Sequence, residues 1–191
     1  GISDIVLIHS ITDILSLNSI TRRTLAQGAG AICAMLGIEL PQGGPYRGVI
    51  AVTRFGVTTT GVVLAKSIFE KAKYEVMVFP TVGTGGRAME ALIRTGIIDG
   101  VLDLTTTEMA DELAGGSMSA GPERLQAAGE LGIPQVVVPG AIDMVNFGQP
   151  QTIPGMYIGR RFHAHSPDTT LMRTSPHENQ QLGQMFAKKL N

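Results

Sequence analysis

Four short segments of this chain combine glycine with hydroxyl side chains in a way suited to holding an anion. They are Thr53-Arg-Phe-Gly-Val-Thr-Thr-Thr-Gly61, Thr81-Val-Gly-Thr-Gly-Gly-Arg87, Asp103-Leu-Thr-Thr-Thr-Glu108 and Pro139-Gly-Ala-Ile-Asp-Met-Val-Asn-Phe-Gly148. Glycine lets backbone N–H groups approach a phosphate or carboxylate, threonine adds hydroxyl donors, and arginine supplies a charge-assisted contact. The candidate ligand contacts are Thr58, Thr59, Gly83, Gly85, Gly86, Arg87, Thr106 and Thr107. Ordinary turn and helix-cap chemistry accounts for any one such segment. Four of them, two with three consecutive threonines, ask for more.

Gly83-Thr-Gly85-Gly-Arg-Ala88 has the G-x-G-x-x-A spacing of a dinucleotide turn, with Asp103 twenty positions after Gly83, where such folds place a ribose-binding acid. Pro80, Thr81 and Val82 separate the preceding apolar run from the first glycine, a looser turn than that fingerprint uses. A mononucleotide or another phosphorylated or carboxylated ligand fits better. Asp103 is suited to capping a loop, to holding magnesium or to binding a ribose. Glu108 three residues after Thr105 also reads as a capping box. Asp111 is a further acid at this edge. Asp143 and Asn146, one helical turn apart, suit a polar site or a second cap. His163 and His165 share one side of an extended segment beside Arg160, Arg161 and Asp168, a zinc or iron site or a basic segment that contacts phosphate. His9 falls at a strand end and His177 in the first turn of the last helix. No G-x-x-x-x-G-K-[ST] or G-x-S-x-G is present, and Gly115–Gly121 reads as a flexible loop.

The elements that must position these residues are legible as alternating apolar runs and helical patterns. Strands are expected at Asp4–His9, Val49–Val52, Glu75–Phe79, Val101–Leu104 and Gln135–Val138, with an extended segment at Asp168–Arg173. Helices are expected from Asn18 or Ser19 to Leu36, Thr60 to Lys73, Gly86 to Arg94, Glu108 to Leu113, Pro122 to Leu131 and Pro176 to Leu190. This rhythm predicts a three-layer α/β fold, an open and mostly parallel sheet with helices on both faces. The Gly/Pro-rich stretch from Gly37 to Arg47 separates a lead-in strand and helix (1–40) from the α/β domain (41–191). In the lead-in helix, Ala26, Gly28, Ala29, Gly30, Ala31 and Ala34 form a smooth stripe suited to close helix contact, and Cys33 is expected to be a buried, inert thiol.

Composition narrows the partners. The 191 residues carry 15 basic and 16 acidic side chains, a net charge of -1, so nucleic acid is not an expected partner. With 43% hydrophobic residues and a mean hydropathy of +0.19, the chain can bury a sizeable core. The single cysteine excludes a disulfide framework and fits a reducing, cytoplasmic compartment. No apolar run reaches a membrane span and no basic-then-apolar leader is expected.

The longer motifs carry a family resemblance. Phe55-Gly-Val-Thr-Thr59, Gly85-Gly-Arg-Ala-Met-Glu90, Asp99-Gly-Val-Leu-Asp-Leu-Thr-Thr-Thr-Glu108, Ile133-Pro-Gln-Val-Val-Val-Pro-Gly140, Asp143-Met-Val-Asn-Phe-Gly148 and Thr170-Leu-Met-Arg-Thr174 resemble the family of tomato mosaic virus resistance protein-like ATP-binding domains. The chain departs from that pattern at His165-Ser-Pro167, where members carry His-Asn-Pro, and at Thr60-Gly61. The resemblance implies Rossmann-like lobes, nucleotide binding and a dimer, with this chain covering mainly a second lobe. The expected function is binding of ATP, another nucleotide or a small anionic ligand, with magnesium as a companion ion. The expected assembly is a homo-oligomer or association with the other lobe. The alternatives are an enzyme acting on a small carbonyl or phosphorylated substrate through Asp103, Glu108 or His165, and a protein-interaction domain.

Overall fold

The computed structural model describes residues 5–39 and 43–190. The chain divides into two compact units between Gly44 and Pro45, within the expected linker, whose residues 40–42 lie outside the described set. Among the described residues the first unit holds one helix, α1 (Ser19–Leu36). Asn18 Oδ1 accepts the Ile20 and Thr21 N–H groups at 2.9 and 3.0 Å, and the Thr21 hydroxyl accepts the Asn18 N–H at 2.8 Å. This reciprocal cap satisfies donors that a first helical turn leaves without partners.

Two expectations fail in this unit. Residues 5–9 form no strand, and Ile5, Val6 and Leu7 are exposed. Among the described residues no neighbouring strand takes up their backbone groups, which a strand requires. Asp4, the first residue of that expected strand, lies outside the described residues. Cys33 is exposed rather than buried, as are Leu25, Ile32 and Leu36. The described part of this unit has no second element on which α1 can pack.

In the second unit, β1 (Val49–Arg54), β2 (Glu75–Pro80), β3 (Gly100–Asp103) and β4 (Gln135–Val137) form a parallel sheet in the order β2-β1-β3-β4. Its helices are α2 (Thr59–Lys71), α3 (Thr84–Arg94), α4 (Thr107–Ala114) and α5 (Ala127–Leu131). The chain steps outward from β1 to β2, then returns past β1 to β3. Parallel crossovers are right-handed, so that reversal sends α2 and α3 to opposite faces. Val49, Ala51, Met77, Phe79 and Val101 pack with Met89, Ile93, Ala127 and Ala128 of α3 and α5. Across the sheet, α2 buries Val62. The expected three-layer α/β fold is present. The helix expected from Pro122 shortens to α5, because Arg124 and Leu125 turn into the interior, Leu125 with φ of 72°.

A second, antiparallel sheet follows, of β5 (Met144–Phe147), β6 (Phe162–Ser166) and β7 (Thr169–Arg173) in the order β5-β7-β6. The extended segments expected around His163–His165 and at Asp168–Arg173 correspond to β6 and β7, whereas β5 is not anticipated in the sequence. Asp143 and Asn146 therefore do not sit on one helical turn; Asp143 is the turn residue just before β5 and Asn146 lies within that strand. A last helix, α6 (Pro176–Leu190), places Leu182, Met185 and Phe186 against Val145, Phe147, Tyr157 and Met172.

Candidate functional site

In an open parallel sheet, ligands bind outside the carboxyl ends of the strands, where the chain reverses its direction of winding. Here that point lies between β1 and β3, so the segments after Thr53 and Asp103 flank it. Their hydroxyls are largely engaged with each other. Thr53 Oγ1 donates to Asp103 Oδ1 at 2.8 Å and accepts the Thr105 N–H at 2.9 Å. The Thr58 and Thr105 hydroxyls lie 2.7 Å apart, and Thr58 Oγ1 accepts the Phe55 N–H at 2.9 Å. Thr59 Oγ1 donates to the Gly56 carbonyl at 2.9 Å and accepts from Arg54 Nε at 3.0 Å. Thr106 and Thr107 are buried, one donating to the Val138 carbonyl and the other accepting from Asn146 Nδ2. The threonine runs stitch strand ends together, which explains why so many stand in sequence.

The glycine turn is built around an internal anion. Glu108 Oε1 accepts the N–H groups of Gly83 and Gly86 at 2.8 and 3.1 Å, two of the donors expected to face a ligand. A Cβ on Gly86 would stand 2.2 Å from Glu108 Oε2, and Gly83 has φ of +81°. Side chains are disfavoured at both positions. The carboxylate occupies the place that a bound phosphate takes in a nucleotide turn.

Glu108 belongs to a buried charge cluster centred on Arg124, a residue the sequence reading passed over. Arg124 is 1% exposed and Asp103 0%. Its guanidinium donates from Nη1 and Nη2 to the two oxygens of Asp103 at 2.6 and 2.7 Å. Nε donates to Glu108 Oε2 at 2.8 Å, and Nη1 also reaches Glu90 Oε1 at 3.3 Å. Glu90 in turn accepts the Leu125 and Ala127 N–H groups. Burial pushes the Glu108 carboxyl above the usual range, with Arg124 opposing that shift. Burial disfavours the charge on Arg124, but Asp103 and Glu108 outweigh it and hold the guanidinium in its charged form. Glu90 and Asp103 stand among apolar neighbours in the sequence, a sign that they are buried and need a cation, although nothing local names Arg124 as that cation.

A fourth acid lies beside this cluster with no cation of its own among the described residues. Asp111 is fully buried, accepting the Asn146 N–H at 3.0 Å, Asn146 Nδ2 at 2.7 Å and the Met118 N–H at 3.3 Å. The Met118 bond, with the Ser117 N–H and hydroxyl donating to the Asn146 carbonyl, ties down the Gly115–Gly121 segment that the sequence reads as flexible. Burial raises the Asp111 carboxyl from 3.8 to about 6. The native state therefore holds a proton that the unfolded chain has released between those values, so this residue's contribution to stability falls as pH rises from 3.8 towards 6. A shift of that size corresponds to roughly 3 kcal/mol. Asp111→Asn is expected to flatten the decline, with Glu108 supplying the slope that remains. Urea denaturation between pH 4 and 7 reads it, and equal slopes for variant and wild type would refute the assignment.

The other expected residues are more dispersed. Asp143 is half exposed and accepts from Arg173 Nη1 at 2.7 Å. His163 and His165 are exposed on β6, and an irregularity between Ala164 and Ser166 breaks the alternation that would place them side by side. Among the described residues no three His, Cys, Asp or Glu side chains converge at a spacing able to hold a metal ion. Asp103 and Glu108 are locked in the Arg124 cluster, whereas His165 lies on the second sheet. Two cations remain at the carboxyl edge. Arg87 lines a cleft of about 360 Å³ with Glu90, Arg94, Gly121 and Arg124, and touches only the Ser119 carbonyl, at 3.4 Å. Arg54 closes β1 in register with Pro80 and binds Thr59. Neither makes an ion pair among the described residues, while Arg94 in the same cleft pairs with Glu123 and Glu130. Arg54 was also missed, although a lone cation ending an apolar strand marks it.

Similarity to known proteins agrees with the motifs. A UPF0261 protein of Clostridium tetani is 48% identical over 191 residues, covering 100% of this chain and 47% of that protein. A UPF0261 protein of Mesorhizobium japonicum is 42% identical over 99% of this chain and 47% of its own length. The ToMV resistance protein Tm-1(GCR237) of Solanum lycopersicum is 41% identical over 196 residues, 100% of this chain and 26% of that protein. The chain thus spans about half the length of the bacterial relatives it matches. No helix among the described residues is long and apolar enough to cross a membrane. The model of the Uncharacterised protein family (UPF0261) C-terminal domain matches residues 47–191 and that of its N-terminal domain residues 1–41, so the chain belongs to the UPF0261 family.

Proposed function

We propose that the second unit binds a small anionic ligand, a nucleotide or another phosphorylated metabolite, at the carboxyl edge of its parallel sheet. The observation that carries this reading is the pair of arginines, Arg54 as the last residue of β1 and Arg87 in the first turn of α3 after β2, neither with a carboxylate partner among the described residues. The threonines and glycines build the frame, and the two guanidiniums supply the contacts with the anion. The residues present do not offer a protein-held magnesium site, because both oxygens of Asp103 are taken by Arg124. Magnesium, if the ligand requires it, enters on the ligand's own phosphates.

Calorimetric titration with ATP, with and without magnesium, and with inorganic phosphate tests the reading. Arg87→Ala and Arg54→Ala are each expected to weaken binding by about 1.5 to 3 kcal/mol, the size of a charge-assisted contact. Unchanged affinity in both variants, or no binding of any of these probes, overturns it.

A further inference from the structure

The antiparallel sheet carries a second group of cations that the strand-end reading does not use. In the register that pairs Phe162 with Met172, Arg161 falls opposite Arg173, whose N–H donates to the Arg161 carbonyl at 2.9 Å. Like charges directly opposite one another across a ladder repel, so this pairing costs stability unless an anion offsets it. The neighbouring Arg160 shows what a structural arginine looks like here. Its guanidinium forms two bonds with Glu178, at 3.0 and 2.7 Å, and a third with the Arg173 carbonyl. That contact holds the Glu178 carboxyl down at about 2. Arg173 is only half engaged, through Asp143 at 2.7 Å on the open surface. Arg161 has no acidic partner among the described residues. Together with His163, Phe162 and Met144, the two arginines line one pocket of about 550 Å³, within the range that accepts a small metabolite.

We propose that this pocket binds a small metabolite through a phosphate or carboxylate group held between the guanidiniums of Arg161 and Arg173, with its apolar part on Phe162 and Met144. The planar donor forks of two arginines match the oxygens of either anion. Asp143 competes with the ligand for Arg173. The site uses none of the cations of the strand-end proposal, so the two stand or fall separately.

Calorimetric titration of the full chain with phenyl phosphate, benzoate and inorganic phosphate tests it. Phenyl phosphate or benzoate is expected to bind more tightly than inorganic phosphate, and the tighter of the two identifies the anion. Arg161→Ala weakens that probe by about tenfold or more, and Arg87→Ala leaves it within about twofold. Asp143→Asn removes the competing carboxylate and tightens binding by about threefold, a gain that no folding defect would imitate. The proposal is overturned if none of the probes binds, if Arg161→Ala has no effect, or if Asp143→Asn weakens binding or leaves it unchanged. Loss of phenyl phosphate binding in Arg87→Ala alone would assign that probe to the strand-end site and overturn the pocket as well.

Discussion

Replacing Arg124 with methionine is expected to destabilise the protein by about 3–5 kcal/mol at neutral pH, the loss typical of removing one partner from a buried ionic cluster. The size follows from what remains. Asp103, Glu108 and Glu90 are 0%, 1% and 4% exposed, and without the guanidinium they are buried carboxylates facing one another. Their remaining hydrogen bonds, from Thr53, Gly83, Gly86, Leu125 and Ala127, soften the loss but carry no full positive charge. Arg124→Lys should fall between, because an ammonium cannot reproduce the two-pronged contact with Asp103 together with the Nε contact with Glu108.

The pH dependence separates this mechanism from simple loss of packing. In Arg124→Met the guanidinium no longer opposes the effect of burial on Glu108, whose carboxyl is held above its ordinary value, so the native state binds more protons than the unfolded chain. The deficit relative to wild type then shrinks as pH falls through the carboxylate range. Urea midpoints at pH 7.5 and pH 5 read this, and adding Asp103→Asn to the variant should restore part of the loss. A cost below about 1 kcal/mol at pH 7.5 would show that the cluster does not hold these strand ends together.

How much of this was legible in the sequence depends on whether a signal is periodic. The four parallel strands and their helices were readable because a sheet covered on both faces leaves continuous apolar runs, as in Val49–Val52 and Gln135–Val138. β5 was not, and β6 was legible only as an extended segment. Asn146 turns inward to meet Asp111, and β6 has the sequence Phe-His-Ala-His-Ser with every residue exposed, so neither shows the apolar pattern of a half-buried strand. The strand-end segments fall where the sequence places them, since strand ends follow from strand positions. The partners of its groups were beyond reach: that Glu108 returns to Gly83 across 25 positions, or that Arg124 gathers three acids, are long-range pairings with no local signature. Burial of Cys33 was misjudged for a related reason. Apolar neighbours on a helix define a face, and they do not say what covers it.

Gly85→Ala is the second change with a large expected effect, about 3 kcal/mol or more, because its new methyl would meet backbone that cannot yield. The added Cβ would stand 1.8 Å from the Pro80 carbonyl oxygen and 2.9 Å from Pro80 Cδ, at the point where α3 begins against the end of β2. Overpacking of this kind costs 1–3 kcal/mol even where side chains can move, and here the helix start itself must shift. Gly129→Ala is the matching control. It lies in α5 with nothing within 4 Å of the added atom, and helix propensity favours alanine there by up to about 1 kcal/mol. If the two variants unfolded at similar urea concentrations, close packing would not be the reason for glycine at position 85, and a requirement for ligand approach would be the better explanation. If they separate as expected, the glycine is required by the fold whether or not an anion binds. The ligand's claim on this edge then rests on Arg54 and Arg87, which form no ion pair among the described residues.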